Sequence, residues 1–513
     1  LLPANVDIRK LQNLLFINKG DGTFTEQSDA WGLRGREYSS HGTFFDMDND
    51  GDLDLYVANH PFNWAINMDK PFKRTDNFND TFTHRLYENT GKAFKDITQQ
   101  AGIACYSFGL AVTAADLNLD GFQDLYVCND YDYPDFVWMN NGNGTFTDRR
   151  AEMFAHTSFY SMGCDIGDVN HDGLPDVITL DMLPPDNYRK KTQVGPLNWD
   201  RYSMRIRNGY GEQFMRNTLQ VNNGDGTFSD QAFLWGMAET DWSWSPLLAD
   251  YDNDGRNDLY ISNGYYRDYN DLDYINYKVE QFRRLNMDNY KGFKEGYFMK
   301  FANEMPAKPL RNYMFRNKGK GFESVAATWG VDKEGYSGGA AYADLDNDGD
   351  LDLVVNNLGE AASVYKNTAS EKLGHPWLRL KLEGQKNNRY GIGCKVIAET
   401  DSGKTYREMS LTHGFQSSSE PFLHIGLGKA ASLKKLTVIW PGGATQVLEN
   451  VQGKQTLTLR EQDAKAGSLN LPSGLLPAKA TQLVTAPAPA FTHSEDGRFI
   501  DFKNEPLLPR KQS

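Results

Sequence analysis

The chain has 513 residues, 39% of them hydrophobic, and a formal net charge of −14. It is too long for one ordinary domain, too acidic to favour nucleic acid, which needs a basic face, and without the roughly 20 consecutive apolar residues of a transmembrane helix. Gly (47), Phe (29), Tyr (26) and Trp (10) are abundant, a composition that favours short strands and turns over helices.

From the N-terminus, "LLFINKGDGTFTEQ" reads as strand, Asn/Gly turn, strand, a strong hairpin signal. The phrase returns as "RLYENTGKAFKDIT", "FVWMNNGNGTFTDR", "TLQVNNGDGTFSDQ" and "YMFRNKGKGFESVA". A second phrase precedes each return. It is "DMDNDGDLDLYVAN" at Asp46, "DLNLDGFQDLYVCN" at Asp116, "DVNHDGLPDVITLD" at Asp168 and "DYDNDGRNDLYISN" at Asp250, with a fifth copy, "DLDNDGDLDLVVNN", at Asp344. The unit is therefore strand A ("HGTFF"), an acid loop, strand B ("DLYV"), strand C ("RLYEN"), a turn and strand D ("AFKDI"). Four-stranded units in series predict a β-propeller.

Extra length sits between strands B and C, at 60–84, 182–216 and 265–311. These insertions are rich in Tyr, Trp, Arg and Asn and mark loops able to carry function on a rigid scaffold. The last has the period of one or two amphipathic helices. The fifth unit has strands A to C but no D before "TASEKLGHPWLRLKL", so that strand is expected from an upstream segment or from 375–382. Alternation over 377–461 predicts a small β-sandwich, and "APAPA" within 463–490 reads as a linker. The four cysteines, Cys105, Cys128, Cys164 and Cys394, form no CxxC pair, which argues against zinc. They read as buried thiols, with one disulfide among the first three left open.

The acid loops share the form D-x-[DN]-x-D-G-x-x-D. Oxygens at positions 1, 3, 5 and 9 of a tight loop can converge on a hard cation that takes roughly 6–8 oxygens. Position 7 adds its main-chain carbonyl, and Gly at position 6 permits the reversal. The predicted ligand sets are Asp46, Asp48, Asp50, Asp52 and Asp54; Asp116, Asn118, Asp120, Phe122 and Asp124; Asp168, Asn170, Asp172, Leu174 and Asp176; Asp250, Asp252, Asp254, Arg256 and Asp258; and Asp344, Asp346, Asp348, Asp350 and Asp352. About five Ca²⁺ ions are expected, one per loop; their ten positive charges would take −14 to about −4. An EF-hand needs Glu at position 12 and a following helix. Position 12 here is Val57, Val127, Thr179, Ile261 and Val355, each continuing a strand.

On these residues the chain resembles the FG-GAP/VCBS repeat family, the Ca²⁺-binding propellers also found in integrin α-chains. The segment from Trp377, with "RYGIGCKVIAET", "HGFQSSSEPFLHIGLG" and "LTVIWPGG", resembles an ASPIC/UnbV domain. The two together form the layout of the cartilage acidic protein-like family and the large bacterial VCBS proteins. The phrases "TLDMLPPDNYRKKTQVGPLNWDRY" and "TDWSWSP" resemble the latter. The resemblance implies an all-β, integrin α-like propeller of seven blades, with about five and a half in this chain, and a C-terminal ASPIC/UnbV β-sandwich. It implies a propeller over 1–374, an ASPIC/UnbV domain over 375–462, and a linker and lead-in to a further module over 463–513, as in a middle piece of a longer polypeptide. It also implies secretion or surface display, with association with SusC/SusD-like outer-membrane uptake proteins and lipid anchoring through a segment outside this chain.

Strand A of a propeller lines the central channel, so its N-terminal ends converge at one mouth and the acid loops lie at the other. His41, Phe108, Met162, Asp241, Trp242 and Trp244 fall at those ends and form a candidate ligand face, with inter-blade aromatic packing as the alternative. His375, His413 and His424 read as structural. There is no GxSxG elbow and no phosphate-cradling loop. Two functional classes stay open: a binding or scaffold module for a protein or glycan, anchored by Tyr, Trp and Arg, and a carbohydrate-active hydrolase or lyase at the central face, since fold alone does not decide.

Overall fold

The structure is a computed structural model that describes residues 12–35, 37–61, 71–74, 82–193, 199–284, 295–401 and 403–467. The predicted linker and lead-in beyond 467, and most of the 60–84 insertion, lie outside the described residues.

A hairpin comes first, β1 (Phe16–Asn18) with β2 (Phe24–Glu26). The first full sheet is β3 (Ser39–Phe45), β4 (Asp54–Asn59), β5 (Arg85–Asn89) and β6 (Phe94–Asp96), and the second is β7 (Gly109–Ala115), β8 (Asp124–Asn129), β9 (Phe136–Asn140) and β10 (Phe146–Asp148). After β11 (Thr157–Ser158) the third sheet begins with β12 (Cys164–Gly167) and β13 (Asp176–Thr179). It resumes after β14 (Gln213–Phe214), which pairs in parallel with β11, as β15 (Thr218–Asn222) and β16 (Phe228–Asp230). The fourth sheet is β17 (Ser243–Ala249) and β18 (Asp258–Asn263), then, past β19 (Leu310–Arg311), β20 (Tyr313–Asn317) and β21 (Phe322–Ser324). β19 pairs with β22 (Glu334–Gly335), and the fifth sheet has three strands, β23 (Ser337–Ala343), β24 (Asp352–Asn357) and β25 (Ser363–Tyr365).

The five sheets are the blades of a β-propeller. Their first strands are neighbours in order, β3 beside β7, β7 beside β12, β12 beside β17 and β17 beside β23. Each pair of adjacent blades closes over its own apolar core. Phe45, Leu86, Val112 and Trp138 fill the first, and Leu247, Tyr260, Leu353 and Val355 fill the last. Alternation of apolar residues along each strand produces this, because one face of a twisted sheet must bury against the next. The 182–216 insertion contributes helices Asn187–Thr192 and Trp199–Arg207, and the 265–311 insertion helices Leu272–Arg284 and Glu295–Glu304.

A second unit follows, of two sheets around one apolar core. One sheet contains β26 (Trp377–Glu383) and the other β27 (Lys395–Glu399) with β28 (Lys404–Glu408). Between the sheets in sequence runs a small hairpin, β29 (Thr412–His413) and β30 (Ser417–Ser418). β31 (Leu423–Gly426) flanks β26 on one side, β32 (Ser432–Ile439) and β33 (Thr445–Gln452) extend the second sheet, and β34 (Gln455–Arg460) runs parallel to β26. Residues 377–383 are thus committed to this unit and do not supply the fifth blade's fourth strand, contrary to one of the two sources expected. All four cysteines are buried and free, so no disulfide joins the first three.

Candidate functional site

The five acid loops are built alike. Their fourth residue takes left-handed backbone, φ 61° at Asn49, 59° at Leu119, 64° at His171, 57° at Asn253 and 61° at Asn347. The sixth, always Gly, has φ between 88° at Gly51 and 101° at Gly121, which only glycine holds without strain. The position-1 carboxylate accepts that glycine's N–H, as from Gly121 to Asp116 Oδ2 at 2.7 Å and from Gly255 to Asp250 Oδ2 at 2.8 Å. Position 9 is a double acceptor. Asp54 takes the N–H groups of Met47 (3.0 Å) and Asn89 (2.8 Å), and Asp124, Asp176, Asp258 and Asp352 repeat the pair. It therefore ties each loop to the turn after strand C, with second lone pairs still available to a metal.

In the first, fourth and fifth loops the carboxylates converge. One oxygen each from Asp46, Asp48 and Asp50 lies within 4.8 Å of the others, and the same holds for Asp250, Asp252 and Asp254 and for Asp344, Asp346 and Asp348. Asp46 Oδ1, Asp344 Oδ1 and Asp350 Oδ1 are buried with no hydrogen-bond partner among the described residues. Burial, then the neighbouring carboxylates, pushes Asp46 up to about 7, and burial and Asp254 push Asp250 up to about 8. Internal cations already reach two of these loops: Arg316 Nε lies 2.6 Å from Asp252 Oδ2 in the fourth, and Lys366 Nζ lies 2.5 Å from Asp346 Oδ2 in the fifth. The second and third loops differ, because Asn at position 3 donates to position 5: Asn118 to Asp120 at 2.8 Å and Asn170 to Asp172 at 2.9 Å. Asp116 moreover meets an internal cation, Lys395 Nζ at 3.0 Å, and both side chains are buried.

That lysine belongs to the second unit, which lies across the acid-loop end. Asn387 and Asn388 donate to Gly51 O, Gln123 Nε2 donates to Glu408 Oε1 at 3.1 Å, and Gly426 N donates to Asp250 Oδ2 at 3.0 Å. His375 meets the Asp252 carbonyl at 2.9 Å, and His424 meets Asn253 Oδ1 at 2.6 Å. Leu119 and Leu174, carried by two of the loops, pack with Ile397, Tyr406 and Ile439. The β29–β30 hairpin descends from this unit into the channel and touches the first strand of every blade. Thr412 Oγ1 accepts from Thr43 Oγ1 at 3.0 Å, and β29 lies on β7. Gly414 N donates to Cys164 O at 2.9 Å, and His413 Nδ1 meets Asp165 Oδ1 at 2.9 Å. Phe415 N donates to Ser245 Oγ at 3.2 Å, and Tyr342 OH lies 3.3 Å from His413 Nε2. At its tip Phe415 meets Trp244 with ring centroids 4.8 Å apart.

Trp244 brings the hairpin to the opposite mouth, where the candidate ligand-face residues other than His41 lie; His41 sits inside β3, against the hairpin at Ser417. Met162, Trp242 and Trp244 join one cluster with Tyr160 and Tyr265. Phe108 is buried in a neighbouring one, 4.9 Å from the Tyr131 ring and 5.3 Å from His60. Asp241, with φ 62°, is held on both oxygens by Arg189, at 2.5 and 2.9 Å. His41 accepts the Val112 N–H at 3.2 Å, and burial lowers it to about 4.

Sequence reading missed the asparagine that ends strand C. Asn140, Asn222, Asn317 and Asn367 each donate through Nδ2 to the position-2 carbonyl of the preceding blade's acid loop: Met47, Leu117, Val169 and Tyr251. Each donates also to the position-8 carbonyl of its own loop. Its recurrence in every hairpin phrase was the available signal.

A propeller with repeated acid loops and a docked β-sandwich defines a class, and sequence comparison supplies the family. The family described as FG-GAP-like repeat matches residues 9–57, 116–179, 208–261 and 307–355, and that described as ASPIC and UnbV matches 384–466. The chain belongs to the proteins that join FG-GAP-like repeats to an ASPIC/UnbV domain. It is homologous to cartilage acidic protein 1: to that of Homo sapiens it is 23% identical over 471 residues, covering 89% of this chain and 57% of that protein. To that of Xenopus tropicalis it is 25% identical over 359 residues, covering 68% and 44%. The chain spans about half the length of the curated relatives it matches. Among solved structures, an Agrocybe aegerita lectin described as recognising non-reducing terminal N-acetylglucosamine aligns at 15% identity and a TM-score of 0.33. It covers 70% of this chain and 75% of its own, a likeness too remote to bear on function.

Proposed function

We propose that this chain is a calcium-stabilised extracellular or cell-surface scaffold whose open propeller mouth binds a protein or glycan. The observation that carries the reading is the asymmetry of the two ends. The ASPIC/UnbV unit covers the acid loops and its hairpin fills the channel, so the aromatic mouth and the insertions around it are the face left for a partner. The unit boundaries follow the same reading, 1–374 for the propeller and 375–462 for the ASPIC/UnbV domain.

Calcium would be held at positions 1, 3, 5, 7 and 9 of the acid loops. The first, fourth and fifth loops fit best, all three having converging carboxylates, and the first and fifth also having buried oxygens without a hydrogen bond. The metal would remove the repulsion that gathers at each blade's edge, and its binding to the native state would stabilise by mass action. Chelator should lower the melting temperature strongly, with calcium restoring it; a melting curve indifferent to chelator refutes the metal. Partner binding is tested by isolating the native complex, SusC/SusD-like outer-membrane proteins being among the companions sought. Capture that survives removal of 182–216 and 265–311 refutes the mouth as the binding face. Turnover on a polysaccharide panel would favour an enzyme instead.

A further inference from the structure

Asp130 sits at the mouth, directly after β8, and is the best-defined group there without a partner of opposite charge. One oxygen accepts the N–H of Tyr131 at 2.7 Å, and no cation pairs with it among the described residues. Its acidic neighbours are otherwise engaged: Arg201 pairs with Asp132, while Asp181 accepts from Ser158 and from the N–H groups of Phe159 and Tyr160. Rings from three consecutive blades surround it. Tyr160 and Tyr265 pack in one cluster with Trp242, and burial first, then the charge of Asp130, pushes up the phenols of Tyr131, Tyr160, Tyr265 and Tyr269. Tyr131 and Tyr160 meet edge to face at 6.2 Å, and Tyr265 and Tyr269 at 5.4 Å. Tyr131 has φ 59°, a left-handed backbone that costs a bulky residue free energy and recurs at ligand clamps.

Burial, with the charges of Asp181 and Asp132, pushes the Asp130 carboxyl up to about 7; a carboxyl so placed repels anions and gains its full charge when a cation pairs with it. The walls leave little room for a stacked sugar ring: the Trp242 face is covered by Tyr265 at 4.4 Å, and Trp244 by Phe415. We propose that Asp130 and the tyrosines around it form a receptor for a protonated alkyl amine, the chemistry of a lysine side chain on a partner protein. The inference rests on the mouth being the binding face, and it names what that face takes.

The test is calorimetric titration of the full, calcium-loaded chain with n-butylammonium chloride, against butanol and sodium chloride at matched ionic strength. Saturable binding of the amine alone is expected. Asp130→Asn, which keeps the acceptor for Tyr131, should weaken it by at least about tenfold, since it removes one partner of a desolvated charge pair. Tyr269→Leu, a change at a 39%-exposed ring, should weaken it a few-fold. Nα-acetyl-lysine methylamide should bind at least as tightly as butylammonium. Absent saturation, equal binding of butanol, undiminished binding by Asp130→Asn, or tighter binding of glucosamine than of the lysine derivative would each overturn the proposal. Because no partner is needed, amine binding that fails while a partner is still captured sinks this site alone, and capture that fails while the amine binds sinks the mouth as the partner face.

Discussion

Replacing Asn317 by Ala is expected to destabilise the protein by about 2–5 kcal/mol. Asn317 is fully buried at the end of β20. Its Nδ2 donates to Val169 O of the preceding blade's loop at 2.8 Å and to Asn257 O of its own at 2.9 Å, and its Oδ1 accepts from Gly319 N at 2.7 Å. Alanine leaves two carbonyls without a donor in a place water does not reach, and an unmet buried polar group costs about 1–3 kcal/mol. The total is a large part of the roughly 5–15 kcal/mol that holds a domain folded. Asn18 supplies the internal control. It makes the same turn bond, Gly20 N to Asn18 Oδ1 at 2.7 Å, but its residue is exposed, so Asn18→Ala should cost only about 0.5–1 kcal/mol. The assay is equilibrium urea unfolding at saturating calcium, with the m-value checked for change. Should Asn317→Ala fall within about 0.5 kcal/mol of Asn18→Ala, the inter-blade clamp is not a stabilising element and the reasoning fails.

Three further outcomes are expected. Gly414 has φ 67°, and a Cβ there would lie 2.0 Å from Ser245 Oγ; Gly414→Ala should unseat the hairpin at a cost of about 1–3 kcal/mol and speed hydrogen exchange over 410–419, whereas unchanged protection would contradict the plug. Lys395 is held charged between Asp116 and Glu408. Lys395→Met should therefore cost about 3–5 kcal/mol, part of it recovered by adding Asp116→Asn, and a neutral outcome would mean another cation serves the second loop. For His413, burial alone would lower the imidazole, but the Asp165 charge and hydrogen bond, with the Ser410 carbonyl, outweigh it and hold it above its ordinary 6.5. Being raised on folding, it contributes stability that is complete below pH 6.5 and lost as pH rises through the folded value. Exchange at the hairpin should accordingly quicken over that range in the native protein and not in His413→Gln.

The repeats made the propeller legible before any coordinates. Strand alternation, Asn/Gly turns and the D-x-[DN]-x-D-G-x-x-D loops are local patterns, and each local choice agrees with the next. What the pattern could not separate was loop from loop. Five copies read as five equal calcium sites, yet Asp116 faces Lys395 from 279 positions further along the chain, and Asn118 turns its amide onto Asp120. The candidate mouth was proposed from strand direction alone, but Asp241 there is occupied by Arg189, while Asp130, in none of the repeats, has no cation beside it among the described residues.

The sequence by itself therefore determined the blades, their acid loops and the turns between strands, because those depend on residues within a few positions of one another. Only the tertiary structure decided that the channel is filled by the hairpin around Gly414, that one blade's asparagine satisfies another's carbonyl, and which carboxylates keep no counter-charge. Those outcomes depend on desolvation and on contacts between segments hundreds of residues apart, and no short pattern encodes where such segments meet.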